Sequence, residues 1–236
     1  MIWRLNMGLF DKYKKTKKKD EKTVGPQFLY SDEELDILDS FICDMFGEYK
    51  NVFHEIASPD VHLDVCIVEP TEEDPFYKLV TMGAGAYTMD IPEQWKDYHI
   101  EHAEYVIYLP KDWNINSGNN EDYWPIKTLK DVARLPIWNE TWLCYGHTTQ
   151  LDEEGSPYAS NTRFNSVVLD FAENKQGDVR LIMPSGKIIN FYEVIALYPE
   201  ELKFKMENGA DALFDKLKKM DIQYKVLDTD RKNAIM

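Results

Sequence analysis

Long apolar runs are missing from this sequence. No stretch of its 236 residues approaches the roughly 18 uncharged apolar residues that cross a bilayer, so no transmembrane helix is expected. The first residues also lack the apolar core and small-residue cleavage site of a secretory signal. Cysteine is scarce: three residues with no repeated spacing argue against a disulfide framework. Together these absences predict a cytoplasmic protein. Nothing repeats at a period of about 20–50 residues, which excludes solenoids and propellers. With 44% apolar residues, the chain can still build a sizeable core without a metal or disulfide staple.

Basic residues are also few, and they are unevenly placed. The chain holds 27 Lys and Arg against 42 Asp and Glu, a net charge of −15. Eight of the basic residues and only three acids fall within residues 1–25, leaving 19 basic and 39 acidic residues in the remainder. The run "DKYKKTKKKDEKTVGP" cannot bury anything, so residues 1–25 read as a disordered Lys-rich leader. Within it, "MGLFDKY" reads as a natural start at Met7. The body is acidic enough to repel nucleic acid and to steer a basic partner inward.

The globular part spans 26–225, with 226–236 as a C-terminal tail. Ser31 and Glu34 form a capping box, followed by Leu35, Leu38, Ile42 and Met45 at helical spacing. "VFHEI", "VHLDVCIVEP", "FYKLVTM" and "AEYVIYLP" read as strands, with a flexible "GAGAY" turn before the last. Pro125 suits the first turn of a helix ended by Pro136. The segment from Thr141 to Leu151 reads as a strand, as does "RFNSVVLDF". Pro184-Ser185-Gly186 closes a hairpin between "DVRLIM" and "KIINFYEVIAL". A last helix begins at Pro199 and turns Leu202, Met206, Leu213, Leu217 and Met220 inward. Strands cluster instead of alternating with helices. That predicts an α+β fold: one compact domain with a mixed, mainly antiparallel sheet flanked by about three helices.

No set of residues in the sequence declares a catalytic site. Cys144 and His147 are three apart, so on one strand they would face opposite sides. His62, Asp64 and Cys66 share a strand face, but His62 and Cys66 would lie roughly 13 Å apart, too far for one ion. Solvent-facing polar positions explain them better. His99, Glu101 and His102 fit neither zinc-protease spacing. The expectation is therefore no catalytic residues, no metal and no cofactor. If a protein-binding surface exists, its candidates are Tyr145, His147 and Thr149, with His62 and Asp64. The competing reading has Leu143 and Tyr145 facing the core, with only the strand end exposed. Two further readings stay open: an enzyme using His62, Asp64 or His147, and an acidic body anchored by its basic arm.

An ordered set of motifs goes further. "HLDVCIVEPT", "FYKLVTMGAGAYTM", "AEYVIYLPKDW", "WPIKTLKDVARLPIWNETWLCYGHT" and "SGKIINFYEVIALYPEELKFKMENGADALFDKL" resemble the suppressor of fused family across roughly residues 30–222. The resemblance implies a single α+β domain with a mixed sheet and a protein-binding, non-enzymatic role. Animal members restrain zinc-finger transcription factors and hold a peptide by strand addition between this domain and a second one. The chain stops soon after the first domain, so that clamp is not expected. Animal members also place an acid beside the strand's histidine, and "CYGHTT" has none. Single-domain bacterial members have been proposed as immunity proteins that neutralise toxin domains, often nucleases. An acidic antitoxin surface suits a basic cleft.

Overall fold

The computed structural model describes residues 26–55, 58, 60–150, 152–173, 179–220 and 224–236, and the backbone alone of 2–4, 174 and 177–178. The Lys-rich run expected to be a disordered leader lies outside the described residues, apart from the short strand β1 (Ile2–Arg4). The α+β expectation holds. Among the described residues, nine strands form one mixed sheet, and four α-helices cover its two faces.

Helix α1 (Asp32–Phe46) starts as its sequence dictates. The Glu34 N–H donates to Ser31 Oγ at 3.2 Å, and the Ser31 N–H donates to Glu34 Oε2 at 3.0 Å. Three acids in the first turn favour the positive end of the helix dipole. Strands β2 (Tyr49–Phe53), β3 (Asp64–Val68), β4 (Phe76–Met82) and β5 (His102–Pro110) then pair antiparallel in succession. Helix α2 (Asn120–Trp138) leads to β6 (Thr148–Gln150) and β7 (Ser166–Phe171). Among the described residues, the short strands β8 (Glu173–Asn174) and β9 (Gly177–Asp178) pair only with each other. β10 (Arg180–Ile182) and β11 (Ile188–Leu197) form the hairpin predicted around Gly186. Helices α3 (Pro199–Asn208) and α4 (Ala210–Lys219) follow.

The sheet order is β1-β6-β7-β11-β5-β4-β3-β2, with β10 also on β11. β11 lies parallel to β5 and β1 parallel to β6; every other pair is antiparallel. One face packs Val65, Leu79, Tyr105, Ile107, Val194 and neighbours against Trp124, Leu129 and Val132 of α2. The other packs Cys66, Val80, Val106 and Phe191 against Leu38, Ile42 and Phe46 of α1. Farther along that same face, Val168, Ile195 and Leu197 meet Leu213, Phe214 and Leu217 of α4. Helices on both sides explain why all of β3 is buried, in place of the expected half-exposed alternation.

Three local readings need correction. Helix α2 begins at Asn120 and runs through both prolines to Trp138. Pro125 cannot donate to the Glu121 carbonyl four residues back, and Asn161 Nδ2 replaces that bond at 3.0 Å. The final helix is two helices, broken at Gly209 with φ +91°. Met206 is half exposed instead of inward, because the buried face of Pro199–Asn208 holds Glu201, Leu202 and Lys205. The stretch from Thr141 to His147 is not a strand; only Thr148–Gln150 pairs. The tail, finally, packs onto the body. Arg231 binds Glu201 through Nη1 and Nη2, both at 2.6 Å, and its guanidinium lies 4.9 Å from both the Phe164 and Tyr198 ring centroids.

Candidate interaction surface

The segment before β6 is a loop pinned at several points. The Leu143 N–H donates to Met89 Sδ at 3.4 Å, and the Leu143 side chain is fully buried. The Gly146 N–H donates to the Leu169 carbonyl at 2.7 Å. Gly146 has φ +75°, and a Cβ there would meet Ala210 Cβ at 2.9 Å, so the position admits only glycine comfortably. A turn closes when the His147 N–H donates to the Cys144 carbonyl at 3.1 Å.

That turn overturns the expectation that Cys144 and His147 face apart: Cys144 Sγ lies 3.9 Å from His147 Nε2. The pair is not poised as a nucleophile and base. Burial pushes the Cys144 thiol up to about 12. Burial, with Lys205 nearby, pushes His147 down to about 4. An activated pair needs a depressed thiol beside a protonated imidazole, the opposite of both shifts.

Tyr145, His147 and Thr149 do not line one strand face. Tyr145 stacks on Phe171 with ring centroids 4.9 Å apart and donates its hydroxyl to Asp211 at 2.5 Å. His147 is buried against the Trp142 ring, 4.5 Å away. Thr149 is fully buried. Thr148 accepts from Lys205 Nζ at 3.5 Å. Lys205 is itself buried and, among the described residues, pairs with no carboxylate; burial lowers its pKa. The outer edge of β6 carries β1, in register Ile2↔Thr148, Trp3↔Thr149 and Arg4↔Gln150.

His62 and Asp64 form a separate cluster. His54 Nδ1 lies 2.9 Å from Asp64 Oδ2, and His62 Nε2 lies 3.4 Å from Asp64 Oδ1. The Glu55 N–H donates to Asp64 Oδ1 at 3.2 Å. Asp64 and Cys66 are buried under α1, which corrects the expectation of solvent-facing positions; the His62 side chain is about half exposed. A cavity of about 200 Å³ opens here between Leu29, Leu35, Asp36, Asp39, His62 and Met82. Among the described residues, no three His, Cys, Asp or Glu side chains converge as metal ligands.

The "GAGAY" stretch is not a flexible turn. It is a cradle for Glu104, which is fully buried on β5. Oε1 accepts from the Gly83 and Gly85 N–H groups and from the Tyr30 hydroxyl, each at 3.0 Å. Oε2 accepts from Thr81 Oγ1 at 2.6 Å and from the Ala84 N–H at 3.2 Å. Burial raises this carboxyl's pKa, and the donors pull against that. Gly83, at φ +134°, could not carry a side chain, since its Cβ would sit 1.9 Å from the His62 carbonyl oxygen. Sequence reading missed Glu104, His54 and Lys205. Each acquires its partner only through long-range folding.

No curated protein matches the chain in sequence. Among solved structures, a protein described as a suppressor of fused homolog from Neisseria gonorrhoeae FA 1090 superposes with TM-score 0.58 and 16% identity, covering 87% of this chain and 99% of that one. A chain of the Sufu–Fu complex crystal structure gives TM-score 0.59 and 9% identity, covering 86% and 91%. Drosophila Suppressor of Fused gives TM-score 0.52 and 10% identity, covering 92% of this chain and 54% of that one. The family model described as suppressor of fused protein (SUFU) matches residues 59–232. The chain therefore belongs to the suppressor of fused family.

Proposed function

We propose that this protein is a non-catalytic binding domain whose partner is another protein with a cationic surface. An immunity protein held against a basic toxin is the specific form we favour. The observation that carries this reading is the disposition of charge. Several buried ionisable groups are spent on the fold: Glu104 on its cradle, Glu201 on Arg231, and Asp60 on Arg134 and Trp138. Beyond residue 25 the chain holds 39 acidic against 19 basic residues in all, and few of the acids are buried, so the acid excess belongs mainly to the surface. Such a surface attracts a basic partner at long range and weakens as salt screens it. The structural likeness to a chain of the Sufu–Fu complex supports a binding role.

The test is affinity capture from the source cells with the full chain as bait, in about 50 and about 500 mM salt. The expected result is a stoichiometric basic protein at low salt that is lost or strongly weakened at high salt. Capture of no stoichiometric protein at low salt, or of one indifferent to salt, refutes the reading.

A further inference from the structure

One element contributes nothing to the core yet displays two large aromatic rings. The 3₁₀ helix Glu93–Tyr98 buries none of its residues. Trp95 and Tyr98 project from it, 40% and 58% exposed, with ring centroids 5.5 Å apart. Trp142, from the loop before β6, adds a third ring 6.5 Å from Trp95. Trp95 and Tyr98 belong to none of the hydrophobic core clusters, whereas Trp142 packs partly against the main one; large aromatics are costly to leave in water.

The setting of the rings is acidic. Asp90, Glu93, Asp97 and Glu140 are exposed; Glu93 and Asp97 share the 3₁₀ helix with two of the rings, and Asp90 and Glu140 lie shortly before the helix and before Trp142 in the chain. Lys96, the cation of this turn, is already neutralised by Glu93 at 2.5 Å. The field is felt locally: after burial, Asp90 and Glu140 help raise Tyr87, and Asp90 and Glu101 add to the effect of Glu93 on Lys96.

The mounting is tied down by hydrogen bonds. The two non-glycine residues at positive φ among the described residues are His99, at +52°, and Glu140, at +47°. They flank this patch, one ending the 3₁₀ helix and the other turning the chain out of α2. Asn190 of β11 holds the first corner by donating to the His99 and His102 carbonyls at 2.8 and 3.2 Å. The Thr141 N–H holds the second by donating to the Pro136 carbonyl at 3.0 Å. Strained backbone held in place by its surroundings is a mark of functional surfaces.

We infer that Trp95, Tyr98 and Trp142, with Asp90, Asp97 and Glu140, form the docking face for a lysine- or arginine-bearing segment of a protein partner. Aromatic faces attract desolvated cations, and the acids supply charge complementarity. Trp, Tyr and Arg are the residues that dominate binding energy at protein interfaces. This inference rests on the proposed function and locates its surface.

The experiment measures fluorescein-labelled deca-arginine binding to the full chain by anisotropy, in about 50 mM salt. The Trp95→Ala/Tyr98→Ala double variant, which removes only exposed rings, is expected to weaken binding about tenfold. Asp97→Asn/Glu140→Gln is expected to weaken it more than Glu72→Gln/Glu73→Gln, an equal charge change on another exposed loop. Absence of binding overturns the inference. So does wild-type affinity in the aromatic variant, or an equal loss in the Glu72/Glu73 control. Binding that appears only after the seven lysines between Lys12 and Lys22 are neutralised would place the chain's own basic run on the patch, and also overturns it. A partner captured equally by wild type and the aromatic variant refutes this face while leaving the proposed function standing.

Discussion

His147 gives the protein a predictable weakness to mild acid. In the native state burial holds this imidazole neutral down to about 4, against an ordinary value of 6.5. In the unfolded chain the ring protonates near its ordinary value. Below about pH 6.5 the unfolded state therefore takes up a proton that the native state refuses, and stability falls as pH falls. The gap of about 2.5 pKa units corresponds to about 3 kcal/mol at full development, of which about 2 kcal/mol appears between pH 7 and pH 5. That interval is chosen because most ordinary carboxylates remain ionised in it. The assay is urea unfolding at both pH values, followed by tryptophan fluorescence and circular dichroism. His147→Gln has no titrating ring, so its acid-induced loss should be smaller by about 2 kcal/mol, whatever its stability at pH 7. Equal losses in the two proteins, within about 0.5 kcal/mol, would show that His147 does not titrate as its burial dictates.

Two further substitutions probe the buried ionic groups by chemical denaturation. Tyr30→Phe removes one of five donors to Glu104 and should cost about 1 kcal/mol. Glu104→Ala strands the N–H groups of residues 83–85 and should cost at least about 3 kcal/mol; equal costs would refute the cradle. Arg231→Ala leaves the fully buried Glu201 carboxylate unpaired and should cost about 3–5 kcal/mol. Arg231→Lys should recover little of that, because a single ammonium cannot repeat the two-pronged bond. Full recovery would count against the two-pronged reading.

Local signals in the sequence were readable where the chain settles its own geometry. Ser31 and Glu34 mark the start of α1 because both partners lie within one turn. Gly186 marks its hairpin for the same reason. The loop from Thr141 to His147 was misread because its aromatic and β-branched residues suit a strand. What denies it a partner is the turn at Gly146, pressed against Ala210. Cys144 and His147 meet through that turn, which spacing alone did not reveal. The glycines of residues 83–85 looked like slack because their purpose, Glu104, sits on the next strand. Arg231 and Glu201 carry no local sign of each other. In the candidate surface, His62 and Asp64 were found together, but the His54 ring that also meets Asp64 was not.

The parallel seam between β5 and β11 joins segments far apart in the chain, Ile189 beside His102 and Glu193 beside Val106. On one side of it lies a meander of immediate neighbours, β2 to β5; on the other lie β6, β7 and β10. A ribosome therefore finishes β5, whose interior residues are all buried in the finished fold, long before it makes the strand that covers it. Until then that edge stands bare, ready to pair with any passing strand. The exposed edge thus belongs to the interval between the two syntheses, and closing the seam covers it.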